Sequence, residues 1–149
     1  MYITEIEKIL ESISKKPIMV FATSKNQKVT ARNMSVIVLG NRIYFQTGLS
    51  MTKSQQIIEN ENVAFCIDNY QIYGKAKNIG TWEQHEDVLK EYRKVHNSSY
   101  ETYKNVKDEI VVETTIHEIE MWEYREGKPF IVQIDLDKNE YKIFEYQVN

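Results

Sequence analysis

Apolar positions fall at helical spacing from the start of the chain. Ile3, Ile6, Ile9, Leu10 and Ile13 mark one face over residues 2–15, with Thr4 as a candidate cap and Pro17 as the stop. Glu5, Glu7, Lys8 and Glu11 occupy the other face, so this helix is expected to pack on a sheet rather than lie on a membrane. The period then changes. Ile18-Met19-Val20-Phe21-Ala22-Thr23 is a nearly continuous apolar strand, and Ser24 to Lys28 is a polar turn.

Between Val29 and Thr47 two alternating runs meet at Gly40-Asn41. Arg32, Met34 and Val36 share one face of the first run, and Asn33, Ser35 and Ile37 the other. Gly and Asn tolerate the positive φ of a tight reversal at Leu39–Arg42. Ile43 to Thr47 is therefore expected to run back beside Ser35, which brings the residues after Thr47 close to Arg32. Ser50 or Thr52 is placed to cap a short helix carrying Gln55, Ile57 and Ile58.

Val63–Ile67 and Gln71–Gly80 read as strands hinged at Asp68-Asn69, and Gly74 within the second predicts a bulge or a close backbone approach. Glu83 to Val95 has helical spacing, with Val88, Leu89, Tyr92 and Val95 on one side. Asn97 to Lys107 shows no clear period and reads as loop, or loop and short helix. Ile110 to Tyr124 is a β-branched strand, and Arg125 to Pro129 a turn. Phe130–Leu136 and Glu140–Tyr146 form a hairpin around Asp137-Lys138-Asn139. With roughly seven strands, two or three helices and no βαβ repeat, the pattern predicts a mostly antiparallel barrel with flanking helices.

Composition narrows the class. A chain of 149 residues with 42% hydrophobic and 28% charged residues suits a single domain, 1–149, around one core. A net charge of −3 without a basic cluster argues against nucleic acid or an anionic membrane as partner. One cysteine, Cys66, excludes an intrachain disulfide and fits a cytoplasmic location. It sits in an apolar run and reads as a small buried hydrophobe. The first residues show no leader pattern, and no run reaches transmembrane length.

Candidate chemistry is sparse. His85, His96 and His117 form no metal-ligand spacing, and no metal site is expected. The first two read as surface residues, while His117 beside Glu118 could line a cleft. No G-x-S-x-G, Walker or GxGxxG pattern supports a hydrolase, P-loop or dinucleotide fold. Arg32 and Lys53, with the hydroxyls of Thr47, Ser50 and Thr52 between them, are instead the kit for a phosphate: a bidentate fork, a compact charge and a helix start. Taken on spacing alone, the same residues also read as solvated charges and a cap. No catalytic residue stands out.

An ordered series weighs against that plain reading. Ala31-Arg32-Asn33-Met34-Ser35-Val36, Ile43-Tyr44-Phe45-Gln46-Thr47, Ser50-Met51-Thr52-Lys53, Val63-Ala64-Phe65 and Ile72-Tyr73-Gly74-Lys75-Ala76 follow one another as they do in the pyridoxamine 5′-phosphate oxidase-like FMN-binding family. The chain resembles that family well over residues 17 to about 80 and more loosely beyond. The resemblance implies a split β-barrel of mainly antiparallel strands and a homodimer with FMN at the subunit interface. Arg32 and Lys53 would hold the phosphate, with a hydroxyl from Ser50 or Thr52. Asn33, Met34, Ser35, Gln46 and Thr47 would border the ring and ribityl chain. Asn69 and Trp122 would reach the flavin from the partner subunit.

One departure matters. True pyridoxamine phosphate oxidases carry an arginine-rich substrate segment after the tryptophan, and here Tyr124-Arg125-Glu126-Gly127-Lys128-Pro129-Phe130 lacks it. The resemblance is therefore to short members similar to flavin reductases and nitroreductase-like proteins, with a small-molecule substrate. The alternative is a non-catalytic dimer that binds or sequesters flavin, haem or a deazaflavin on the same fold.

Overall fold

A computed structural model of the chain describes residues 4–147. Helix α1 (Glu5–Ser14) opens on a capping box in which Thr4 and Glu7 satisfy each other's backbone N–H groups. Ile3, the first position of the expected apolar face, lies outside the described residues. Strands β1 (Ile18–Lys25), β2 (Lys28–Ser35), β3 (Ile37–Leu39) and β4 (Arg42–Gly48) follow, then α2 (Thr52–Glu59), β5 (Asn62–Ile67) and β6 (Tyr70–Gly80). A single 3-10 turn at Trp82–Gln84 leads into α3 (Glu86–Tyr103), and β7 (Glu109–Arg125), β8 (Lys128–Asp135) and β9 (Glu140–Glu145) complete the chain. All nine strands join one sheet in the order β2-β1-β5-β6-β7-β4-β3, with β8 and β9 branching from β7, and every pairing is antiparallel.

The tight turns sit where the sequence predicts them. Gly40 at φ 61° and Asp68 at φ 51° supply the left-handed positions that reverse β3 and β5. Gly74 is a bulge and a close approach together. The β6–β7 register shifts beside it, and a Cβ there would lie 2.3 Å from the Thr115 carbonyl oxygen. Phe21, Phe45 and Phe65 meet in the core with ring centroids 4.6–6.4 Å apart, and Ile13 of α1 and Ile57 of α2 belong to the same buried cluster. A second cluster of Ile37, Tyr44, Trp82, Tyr92 and Val111 lies under α3.

Four local expectations change. The run from Val29 does not stay beside Ile43–Thr47. Its first part, β2, pairs with β1 in the register Met19↔Met34 and Ile18↔Ser35, and only Ile37–Leu39 pairs with β4. The break falls at Val36, whose N–H bonds the Pro17 carbonyl instead of a strand. This corner leaves a gap between β2 and β4, the split of the barrel. Cys66 is exposed, because β5 turns Val63 and Phe65 inward and the next residue out. Asn97–Tyr103 continues α3 beyond a kink at His96 (φ −125°, ψ 40°). Ion pairs of Glu101 with Arg93 and Lys104 support this polar half, where no apolar period could. Finally, His85 and His96 are half-buried, each with a ring nitrogen bonded to a carbonyl, of Ile79 and Val36 respectively.

Candidate functional site

The gap between β2 and β4 is a cavity of about 320 Å³, floored by strands and flanked by α2 and α3. Asn33, Met34 and Ser35 line it from β2, Gln46, Thr47 and Gly48 from β4, and Met51 and Lys53 from the start of α2. Tyr92, Ser99 and Tyr103 of α3 and Glu109 of β7 complete the wall. Six residues singled out in the sequence thus meet in one place: Asn33, Met34, Ser35, Gln46, Thr47 and Lys53.

Lys53 dominates the electrostatics. It is only 8% exposed, and its one hydrogen bond among the described residues is a 3.4 Å contact from Nζ to the Met51 thioether. Burial, then the nearby charge of Arg32, pulls its pKa below the ordinary lysine value, while Glu109 opposes that shift. A cation this buried with only a sulfur for a partner is costly unless an anion joins it. Thr47 Oγ1 donates to the same sulfur at 3.4 Å.

Arg32 stands behind this wall rather than in it. Nη1 donates to the Phe21 carbonyl (3.1 Å) and Thr23 Oγ1 (3.0 Å), and Nη2 to Thr30 Oγ1. Three of its five donors are so engaged, and burial lowers its pKa. The hydroxyls of Thr23 and Thr30 in turn donate to Gln56 Oε1 of α2. That network fastens α2, and with it Lys53, against the β1–β2 hairpin. Gln46 is also tied up. Its Oε1 accepts from Trp82 Nε1 and its Nε2 donates to the Ser99 carbonyl, both at 2.9 Å, so its amide holds α3 over the cavity and does not face a ligand.

The expected capping hydroxyls are elsewhere. Met51, not Ser50 or Thr52, is the N-cap of α2, and it makes no side-chain cap bond. Ser50 gives both its N–H (3.0 Å) and its hydroxyl (2.7 Å) to the Asp108 carboxylate, and Thr52 is exposed outside the cavity. Asn69 and Trp122 also lie outside it, but next to each other: Asn69 Nδ2 donates to the Trp122 carbonyl at 2.6 Å, and the indole packs on Tyr146 with centroids 5.2 Å apart. His117 pairs with Asp137 at 2.8 Å, away from this cavity.

Glu109, Tyr92, Ser99 and Tyr103 carry no motif, and only three-dimensional packing reveals them as part of the wall. Burial first, then Asp108, raises the Glu109 carboxyl above its ordinary value, with Lys53 pulling the other way. The site therefore combines one buried ammonium, one reluctant carboxyl, two phenols and an uncapped helix start.

Comparison with known proteins bears on the fold that carries this cavity. The pyridoxamine 5′-phosphate oxidase family matches residues 6–123, and the chain belongs to that family. No curated protein matches it. Among solved structures, it is similar to a pyridoxamine 5′-phosphate oxidase-related, FMN binding protein of Nostoc punctiforme PCC 73102, with a TM-score of 0.67 and 11% identity over 99% of this chain and 100% of that one. A FAD-binding protein of Mesorhizobium loti matches with a TM-score of 0.64 and 8% identity over 78% and 90%. PhzG of Burkholderia lata 383, in complex with tetrahydrophenazine-1-carboxylic acid, matches with 0.63 and 13% over 95% and 90%. Identities this low speak for the shared fold, a split barrel.

Proposed function

We propose that this chain is an FMN-binding flavoprotein, homodimeric, that carries out redox chemistry on a small molecule. The observation that carries the reading is Lys53, which is buried, faces a cavity, and has a thioether as its one hydrogen-bond partner among the described residues. A phosphate monoester is the anion such a site suits: Lys53 offers a charge-assisted bond, Thr47 a hydroxyl, and the start of α2 its free N–H groups. Beyond the phosphate end, Met34, Tyr92 and Tyr103 give apolar and aromatic surface, and Asn33 and Ser35 polar edges, which is what a planar heteroaromatic ring requires. Arg32 adds positive charge from behind and has donors to spare.

When bound, FMN supplies the electron transfer, and the protein's part is to hold it, orient it and keep water off one face. α3, tethered by Gln46, supplies that cover. The dimer is supported by the outer face of the sheet. Ile18 and Val20 of β1, Cys66 of β5 and Tyr73 of β6 are all exposed there, and Val20 is paired across strands with Asn33 at the cavity edge. Asn69 and Trp122 are neighbours, so a partner seated on that face would deliver both to the flavin in one contact.

Titration of FMN against wild type, Lys53→Ala and Lys28→Ala tests the cofactor assignment. Lys28 is exposed on the β1–β2 turn, and its loss should leave affinity unchanged, while Lys53→Ala weakens it strongly. Equal effects would remove Lys53 from the site. Acceptor-dependent oxidation of a reduced nicotinamide cofactor tests the redox assignment, since a pure binder gives no turnover.

A further inference from the structure

Met51 is an unusual residue for its place. The N-cap of a helix favours Ser, Thr, Asp or Asn, whose oxygens bond the free N–H groups of the first turn. Met51 has no such oxygen, and the N–H groups of Thr52, Lys53 and Ser54 donate to no acceptor among the described residues. The side chain turns instead into the cavity, where its sulfur accepts from both Thr47 Oγ1 and Lys53 Nζ at 3.4 Å. An ammonium and a hydroxyl of the cavity wall thus converge on one atom, and that atom is a poor acceptor.

We infer that Met51 is a displaceable placeholder in the anion site: its thioether aims Lys53 and Thr47 into the cavity and yields both donors to the ligand's terminal phosphate. The inference rests on the flavin reading above and adds a positioning residue to it.

The physics favours the exchange. A thioether holds an ammonium weakly, whereas a phosphate oxygen forms short charge-assisted bonds to the same donors. Met51 is 50% exposed and has three rotatable side-chain bonds, so it can swing out without moving α2. The uncapped N–H groups then meet the anion as well. An aspartate at position 51 would do the opposite. It would cap α2 and pair with Lys53, making the fold more stable and the site unreceptive.

The test follows the Met51 methyl by NMR in protein labelled at methionine methyls, with Met51→Ala assigning the signal. On addition of FMN, and separately of inorganic phosphate, the Met51 methyl should shift and sharpen as it leaves the cavity. A second arm measures FMN affinity and Tm. Met51→Asp should weaken FMN binding at least ~10-fold, the loss expected when charge-assisted bonds are pre-empted, while raising Tm without ligand. Gln55→Glu, which adds the same charge on an exposed site of α2 outside the cavity, should change affinity far less. A Met51 signal unmoved at saturating FMN overturns the placeholder. So does a Met51→Asp protein that binds FMN as wild type does. Displacement by phosphate in a protein that fails to bind FMN would keep the placeholder and sink the flavin reading; no response to either ligand sinks both.

Discussion

Replacing Lys53 with methionine should separate stability from binding, moving them in opposite directions. Lys53 is only 8% exposed, its one hydrogen-bond partner among the described residues is a sulfur, and burial already depresses its pKa. Methionine keeps most of the aliphatic stem and removes the charge. Relief of even ~1 kcal/mol of the cost of burying that ammonium would raise Tm by ~2–4 °C in a chain of this size. On the proposed reading the same change removes a charge-assisted bond to the phosphate, worth about 1.5–3 kcal/mol, or roughly 10- to 150-fold in Kd. Scanning calorimetry without ligand and flavin-fluorescence titration measure the two quantities. A Lys53→Met protein that is less stable than wild type would mean the ammonium is satisfied by a partner in the fold. One that binds FMN unchanged would mean the anion sits elsewhere.

Two further outcomes follow from the same geometry. Glu109→Gln should stabilise the protein at pH 7.5 more than at pH 4. The folded carboxyl titrates above its ordinary value of 4.5, so its contribution is complete below that value and is lost as pH rises through the folded pKa. Melting curves at the two pH values that show the reverse order would contradict the burial of Glu109 in this wall. Gly74→Ala should cost about 1–3 kcal/mol, because a Cβ there meets the Thr115 carbonyl at 2.3 Å and Thr114 Cγ2 at 2.9 Å; urea denaturation within 0.5 kcal/mol of wild type, the ordinary range for surface changes, would refute the close approach.

The strands and their turns were legible because period-2 alternation and turn residues are local signals. Gly40, Asp68 and Gly74 all mark the features expected of them. The split at Val36 was not, since nothing in the run Arg32–Leu39 says which half pairs with β1 and which with β4. That choice depends on Pro17 and on the sheet as a whole. Residue types marked six of the residues that line the cavity, but not the division of labour among them. Lys53 faces the cavity while Arg32 supports from behind. Gln46 holds a helix rather than a ligand, and Ser50 serves Asp108. These outcomes turn on competing hydrogen-bond partners far apart in the chain. Glu109 and Tyr103 were invisible for the same reason: the cavity wall is a product of packing. Cys66 shows the limit of reading an apolar run as buried, since strand alternation turns every second residue of such a run outward.

The central claim, that this cavity holds a flavin by its phosphate, is tested most directly by the absorption spectrum of the purified protein before and after FMN is added and the mixture desalted. The account predicts retained bands near about 370 and 450 nm, the absorption of the cofactor that would carry the redox step, in wild type and their loss in Lys53→Met. A wild-type spectrum with no retained flavin would contradict it, as would equal retention by the two proteins.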